Sequence, residues 1–266
     1  MALLQCNLFS GTLCFGTDIN VIIPSPDSDD ILHKKNISYF HKGVKFPVLY
    51  LLHGAYGDYS DWLRLSKIEA YANEHKMIVI MPSASNSFYQ DMEYGSDYET
   101  YMTEELPAFA QQMFPMLTDR EHTFIGGLSM GGYGALKLAF DNPDKYGACI
   151  SLSGALDIQG VYEDIREGRM EAPFLWDAIF SDPERIQGSD KDLFELYKIG
   201  GEQGCIMPRI FQSCGTEDFI YHSNLGARDR LMEMGADLTY EEHPGIHDWN
   251  YWDANIGRAM EWLIYN

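Results

Sequence analysis

Apolar and polar residues alternate along the chain between short strand-like runs and longer segments of helical periodicity. Residues 47–53 (PVLYLLH) form a nearly continuous apolar run, which is typical of a strand buried on both faces of a parallel sheet. The same pattern predicts further strands at residues 77–81, 122–125, 147–153, 209–214 and 238–242. Helical spacing predicts helices at residues 61–75, 98–114, 132–142, 224–234 and 251–265. This rhythm indicates an α/β fold, a doubly wound and mostly parallel sheet with helices on both faces.

The first part of the chain departs from this rhythm. Residues 3–9 and 18–24 are strand-like and are joined by a short Gly-containing connection, so we expect an antiparallel pair. Residues 24–43 are polar, with two prolines and an Asp-Ser-Asp-Asp run, and are predicted to form a solvated loop. These features lie before the buried strand at 47–53.

A second departure is the connection at residues 154–207, which is too long for a simple crossover. It carries aromatic residues among prolines, glycines and charges, and is predicted to be an insertion with short helices that roofs a pocket. We expect Phe174, Trp176 and Phe180 to contact substrate there. The absence of a linker or repeat in the sequence favours one domain over residues 1–266.

The amino-acid composition limits the classes of partner that the protein is expected to bind. The formal net charge is −21 at pH 7, which repels phosphate backbones and acidic membrane surfaces, so neither nucleic acid nor a membrane is expected as a partner. No targeting segment or membrane-length apolar run is visible, and the five cysteines lack paired spacing. We therefore expect a cytoplasmic protein with reduced thiols and no metal or cofactor; the sequence allows a homo-oligomer but does not indicate one.

The candidate chemistry centres on the run Gly-Gly-Leu-Ser-Met-Gly at residues 126–131. It contains a Gly-x-Ser-x-Gly pattern between a predicted strand and a predicted helix, which is the setting of a nucleophile elbow. In such an elbow the serine occupies a strained turn that exposes its hydroxyl, and the flanking glycines avoid collisions with neighbouring elements. Ser129 is therefore the predicted nucleophile.

A serine hydroxyl needs a base and an acid that orients the base, in the chain order Ser, acid, His on this architecture. His247 lies in a predicted loop between the last strand and the last helix, whereas His243 ends the strand itself; we favour His247. Asp218 and Glu217 both follow the predicted strand at 209–214. Asp218 precedes two apolar residues and is the favoured acid, with Glu217 as the alternative.

The remaining part is an oxyanion hole, which requires two backbone N–H groups aimed at the substrate carbonyl oxygen. One is expected from Met130, directly after the nucleophile. The other is expected from the loop after the strand at 47–53, with Ala55 favoured and Gly54 as the alternative. His53 precedes the serine in the wrong position for a base, so a structural role is expected for it.

These stretches together resemble the esterase D superfamily of α/β-hydrolases. The resemblance spans almost the whole chain and rests on His53-Gly54, the elbow with the following Gly-Tyr-Gly-Ala, Cys214-Gly215-Thr216-Glu217-Asp218-Phe219 and His247-Asp248-Trp249. The group includes tributyrin esterases, S-formylglutathione hydrolases, the antigen 85 mycolyltransferases, and the acetyl-xylan and feruloyl esterases of carbohydrate esterase family one. The insertion at 156–205 matches no pattern of that group.

The resemblance implies an α/β-hydrolase fold, with Ser129, Asp218 and His247 as the triad and the Met130 and Ala55 amides as oxyanion donors. It implies a serine carboxylesterase that hydrolyses short-chain acyl esters through an acyl-enzyme, with a small-molecule or oligosaccharide ester as substrate. Two alternatives within the group are an acetyl-xylan or feruloyl esterase and an S-formylglutathione-type thioesterase. An inactive hydrolase fold that serves as a binding module is the alternative from another class.

Overall fold

Eight strands form one mixed sheet in the computed structural model, which describes residues 1–33, 39, 41–171 and 174–265. The strands are β1 (Ala2–Ser10), β2 (Phe15–Ile23), β3 (Val48–Leu52), β4 (Ile78–Pro82), β5 (Thr123–Leu128), β6 (Ala148–Leu152), β7 (Arg209–Gly215) and β8 (Leu238–His243). Their spatial order is β1-β2-β4-β3-β5-β6-β7-β8. The pairs β1–β2 and β2–β4 are antiparallel and the other pairs are parallel, which confirms the mixed α/β architecture.

Helices connect the strands and cover the sheet. They are α1 (Ser28–Leu32), α2 (Asp61–Leu65), α3 (Ile68–Glu74), α4 (Tyr98–Thr100), α5 (Leu106–Met113), α6 (Met130–Asp141), α7 (Ile158–Arg166), α8 (Trp176–Phe180), α9 (Leu193–Glu202), α10 (Tyr221–Glu233) and α11 (Trp249–Tyr265). A π-helical segment, Tyr101–Glu105, joins α4 to α5, and two 3₁₀ turns lie at Arg120–His122 and Pro183–Arg185. No helix in the described part of the chain is long and apolar enough to span a bilayer.

Strand β3 shows why the central strands have apolar residues at successive positions. All five of its side chains are buried. Val48 and Leu52 belong to the core on one side of the sheet, whereas Leu49 and Leu51 belong to the core on the other side. Because successive strand residues point to opposite faces, a strand covered by helices on both faces needs apolar residues at every position.

Two predicted elements differ from the structure. The helix predicted at 61–75 is two helices, because Ser66 adopts an extended conformation (φ −139°, ψ 177°) and its hydroxyl accepts a hydrogen bond from the N–H of Ile68 at 3.2 Å. Serine competes with helical hydrogen bonding in this way and starts α3 anew. The loop predicted at 24–43 contains the short helix α1, and its residues 34–38 and 40 lie outside the described residues.

The connection at 154–207, predicted above to be an insertion, carries α7, α8 and α9, and its described residues pack against the helix that follows Ser129. The hydroxyl of Tyr133 on α6 donates to the carbonyl of Lys191 at 2.8 Å, and the rings of Phe140 and Tyr197 lie 5.1 Å apart. Both contacts attach the insertion to α6. The insertion is therefore fixed to the element that carries the nucleophile candidate.

Candidate active site

Ser129 lies between β5 and α6 in a backbone conformation that side chains rarely adopt. Its φ is 53° and its ψ is −117°. A Cβ atom on Gly127 would lie 2.4 Å from the carbonyl oxygen of Gly131, and one on Gly131 would lie 2.5 Å from the carbonyl oxygen of His53. Both distances are far below contact distance, so the turn requires glycine at each position.

Three side chains from separate loops meet at this turn. The Nε2 atom of His247 lies 3.0 Å from the hydroxyl oxygen of Ser129. On the other side of the ring, Nδ1 lies 2.9 Å from Oδ2 and 3.1 Å from Oδ1 of Asp218. His247 follows β8 and Asp218 follows β7, so the carboxyl ends of neighbouring parallel strands bring the residues together. This arrangement can pass a proton from the hydroxyl to the imidazole.

Asp218 and Glu217 have different environments although they are adjacent. The Asp218 side chain is buried, and Oδ1 also accepts a hydrogen bond from the N–H of Ile220 at 3.1 Å. Burial raises the pKa of this carboxyl, but the hydrogen bond and charge of His247 outweigh it and hold the pKa below its ordinary value. Glu217 is exposed to solvent and accepts a hydrogen bond from the N–H of Gly245 at 2.5 Å.

The structure also distinguishes between the two candidate bases, His247 and His243. The ring of His247 is enclosed by the rings of Phe219 and Trp252, with centroid distances of 4.7 and 4.9 Å. His243 lies on β8, and its Nε2 is 3.3 Å from a carboxylate oxygen of Glu241. Of these two histidines, only His247 contacts Ser129.

The loop 53–57, after β3, runs directly beside the nucleophile candidate. A Cβ atom on Gly54 would lie 2.5 Å from Cδ1 of Leu128 and 3.5 Å from Cβ of Ser129. Ala55 and Met130 both line the cavity that contains Ser129. The expected amide donors are thus on the two segments that flank the serine hydroxyl.

His53 holds this loop in place. Its buried ring accepts a hydrogen bond at Nε2 from the N–H of Ala84 at 2.9 Å, so the ring proton is on Nδ1, which donates to the carbonyl of Gly54 at 2.7 Å. The hydroxyl of Tyr89 donates to the carbonyl of His53 at 3.0 Å. Burial lowers the pKa of the ring and favours its neutral form. Both ring nitrogens are occupied, which leaves neither of them for proton transfer with a substrate.

A cavity of about 500 Å³ contains Ser129, and its lining includes two separate aromatic clusters. One side comes from the insertion and from the loop after β4, with Ala155, Val161, Phe88 and Phe174. The other side comes from the start of α2 and the residues after His247. It consists of Asp61, Asp248, Trp249 and Trp252.

The structure places one of the three predicted substrate contacts in the cavity. Phe174 lines it and stacks on Tyr56 at a centroid distance of 5.3 Å. Trp176 and Phe180 do not line it: each packs behind Phe88, at centroid distances of 5.3 and 5.5 Å. The expectation of direct substrate contact is therefore corrected for Trp176 and Phe180, because Phe88 lies between them and the cavity.

The sequence pattern does not mark several of the lining residues, among them Phe88 and Asp61. Phe88 has φ 51° in a loop without strand or helix periodicity, so no pattern marked it. Asp61 begins α2, which makes it look like an ordinary acidic residue of a first helical turn. Within the described ranges, no group of three or more His, Cys, Asp or Glu side chains is placed to hold a metal ion.

Comparison with known proteins identifies relatives along the whole chain. The Esterase family, with the description "Putative esterase", matches residues 34–263. An acetyl esterase of Caldicellulosiruptor saccharolyticus is 37% identical over 268 residues, covering 99% of this chain and 98% of that protein.

Two solved structures from Staphylococcus aureus are also similar. FphF, a fluorophosphonate-binding serine hydrolase with substrate bound, has a TM-score of 0.88 and 32% identity, covering 100% of this chain and 99% of that one. The S-formylglutathione hydrolase FrmB has a TM-score of 0.84 and 32% identity, covering 99% and 98%. These matches confirm the predicted resemblance and the α/β-hydrolase fold. The chain therefore belongs to the Esterase family and is a serine esterase with the α/β-hydrolase fold.

Proposed function

We propose that this protein is a carboxylesterase that hydrolyses short-chain acyl esters through an acyl-enzyme on Ser129. His247 takes the proton of the Ser129 hydroxyl as the oxygen attacks the ester carbonyl carbon. The imidazolium then gives this proton to the oxygen of the leaving alcohol. A water molecule, deprotonated by His247, attacks the acyl-enzyme, and the acid leaves as the proton returns to Ser129.

The observation that carries the proposal is the chain of contacts from Ser129 through His247 to Asp218. Distances of 3.0 Å and 2.9 Å on the two sides of one ring are within hydrogen-bond reach. Asp218 stabilises the imidazolium that forms and orients the ring. The amides of Ala55 and Met130 are the proposed donors to the negative oxygen of the tetrahedral intermediate.

The preference for a short acyl group is supported by the apolar side of the cavity. Phe174 and Phe88 pack edge to face at 5.5 Å, and Phe88 in turn is backed by Trp176 and Phe180. A wall supported by a second layer of packed rings resists displacement by a longer chain. The acetyl esterase relative is consistent with such a pocket.

The test combines active-site labelling with a substrate panel. We expect a fluorophosphonate probe to label the wild-type protein at Ser129, which would exclude an inactive binding module. The panel consists of 4-nitrophenyl esters from acetyl to decanoyl, acetyl-xylooligosaccharide, methyl ferulate and S-formylglutathione. Highest kcat/KM on methyl ferulate or the acetylated sugar would favour the polysaccharide esterases, and highest kcat/KM on S-formylglutathione would favour the thioesterase. Absence of labelling would overturn the proposal.

We place this activity in one unit, residues 1–266, in which the insertion 154–207 forms the acyl side of the cavity. A reducing compartment such as the cytoplasm is supported by five cysteines that are all free. The partners are small ester substrates; the charge of −21 disfavours nucleic acid. A homo-oligomer is compatible with the proposal, and light scattering measures it.

A further inference from the structure

The alcohol and the acyl chain of an ester extend in different directions from the carbonyl carbon that Ser129 attacks. His247 must protonate the leaving oxygen, so that oxygen lies next to Nε2 of His247, and the alcohol extends along the residues around this ring. Four lining residues form that side, which we name the leaving-group wall: Asp61, Asp248, Trp249 and Trp252. Trp252 contacts the His247 ring edge to face at 4.9 Å, and Trp249 contacts Trp252 at 5.3 Å.

Asp61 lines the same cavity, and its neighbour Trp62 connects the start of α2 to the tryptophans of this wall. Trp62 meets Trp249 edge to face at 5.1 Å, and its Nε1 donates to the carbonyl of Leu52 at 2.9 Å. The Asp61 carboxylate lies against loop 53–57, because a Cβ atom on Gly57 would be 2.2 Å from Oδ2 of Asp61. The Asp61 carboxylate therefore lies beside loop 53–57, and the next residue of α2 packs against Trp249.

The Asp and Glu side chains that line the cavity give it a negative charge. Asp61, Glu171 and Asp248 line it, and no Lys or Arg does so among the residues that the structure describes. Asp248 uses its two oxygens within the protein, accepting from the N–H of Tyr251 at 3.1 Å and from Nδ2 of Asn250 at 3.0 Å. Asp61 has no ion-pair partner within the described ranges.

The surroundings of Asp61 disfavour its negative charge. Burial and the nearby charge of Asp58 raise the pKa of its carboxyl, and the N–H of Asp58 and the charge of Arg64 only partly oppose this. A cation in the cavity would attract the carboxylate and so oppose both effects. An anion would add to them.

Given the esterase function proposed above, on which this inference rests, we propose that Asp61 selects the charge of the leaving group. It favours alcohols that carry an ammonium group and rejects alcohols that carry an anion. The indole rings of Trp249 and Trp252 in the same wall suit this choice, since aromatic faces attract quaternary ammonium groups. Glu171, the acidic lining residue that comes from the insertion, is exposed, so solvent screens its charge more than that of Asp61.

Three butyryl esters that share one acyl group test the proposal. Butyrylcholine has a quaternary ammonium, 3,3-dimethylbutyl butyrate is its neutral counterpart of the same shape, and 2-sulfoethyl butyrate carries an anion. We expect kcat/KM to fall in that order for the wild-type enzyme. Asp61→Asn should reduce the ratio between the choline and sulfoethyl esters by about tenfold or more, as expected for a unit charge acting over several ångströms at a partly buried site. Glu69→Gln removes one charge from α3, outside the cavity lining, and should change the ratio by less than twofold.

The outcomes separate this proposal from the esterase function. An unchanged ratio in Asp61→Asn, with normal hydrolysis of the neutral ester, would overturn the role of Asp61 alone. Absence of hydrolysis of the neutral ester by the wild-type enzyme would overturn the esterase function itself. Should Asp61→Asn fail to fold, inhibition of the wild-type enzyme by the free alcohols decides the matter. Choline should inhibit at about fivefold lower concentration than 3,3-dimethylbutanol, and equal inhibition would overturn the proposal.

Discussion

His53 is joined to Ala84 by a hydrogen bond of 2.9 Å between the ring Nε2 and the backbone N–H. This bond connects loop 53–57, which follows β3, to the loop that follows β4. The bond requires an unprotonated Nε2, so the position of the proposed oxyanion donor Ala55 depends on a neutral His53.

The neutral state of His53 predicts a specific loss of stability in acid. Its pKa is lowered in the fold, whereas the unfolded chain has a value of about 6.5. As pH falls through the unfolded value toward the folded one, only the unfolded state binds the proton, so the free energy of unfolding decreases by up to about 1.4 kcal/mol per pH unit. Urea unfolding of the wild type and His53→Gln between pH 8 and 5 measures this effect.

The comparison with His53→Gln isolates one titrating group. The variant should be less stable at pH 8, by about 1–3 kcal/mol, since a buried hydrogen bond is disturbed. It should also lose less stability than the wild type on acidification. Parallel curves for the two proteins would mean that His53 does not titrate between the folded and unfolded states.

Ser129→Ala should remove activity and leave the fold intact. We expect a decrease in kcat of about 10⁴-fold or more, because the nucleophile acts as a unit with its base. Fluorophosphonate labelling should disappear, and the melting temperature should stay close to that of the wild type. Continued labelling with substantial turnover would assign the nucleophile to another serine.

The two adjacent carboxylates should differ strongly in their effect on catalysis. Asp218→Asn removes the charge that stabilises the imidazolium, and we expect kcat to fall by about 10³- to 10⁴-fold. Glu217→Gln is the matched control, since this side chain contacts Gly245 and not His247, and its loss of kcat should be less than tenfold. The reverse ranking would transfer the acid role to Glu217.

The sequence alone predicted the parts of the site that depend on local geometry. The turn at Ser129 needs glycine at 127 and 131 wherever it occurs, and the carboxyl ends of parallel strands place Asp218 and His247 on the same edge of the sheet. The order of these residues along the chain, relative to the predicted strands, was therefore sufficient to predict them as site residues. The choice between Asp218 and Glu217 depends on which side chain turns inward, and only the tertiary structure shows this.

The walls of the cavity could not be predicted in the same way. Phe88 reaches the cavity from an irregular loop that also holds Tyr89 at φ 58°, and such a loop has no periodicity to detect. Trp176 and Phe180 are aromatic residues of the kind that line substrate pockets, but they pack behind Phe88 and do not line the cavity. Apolar residues in an insertion indicate packing, and only the tertiary structure shows which rings face the substrate.

Acyl-chain preference should depend on Phe174. We expect acetyl to butyryl esters to be favoured over octanoyl esters by about tenfold or more in kcat/KM, because longer chains must leave the pocket or displace packed rings. Phe174→Ala should reduce this preference by opening the wall. The measurement is kcat/KM for a series of 4-nitrophenyl esters.

Phe180→Ala is the control for this prediction because it removes a ring of the second layer. Phe180 stacks on Trp176 at 5.3 Å and is almost fully buried, so the variant should lose about 3–5 kcal/mol of stability. Its chain-length preference should change less than that of Phe174→Ala, since Phe88 still separates this position from the substrate. A flat rate from acetyl to decanoyl in the wild type would mean that the insertion leaves the cavity open, and would favour a groove for lipids or polysaccharides over a pocket for small esters.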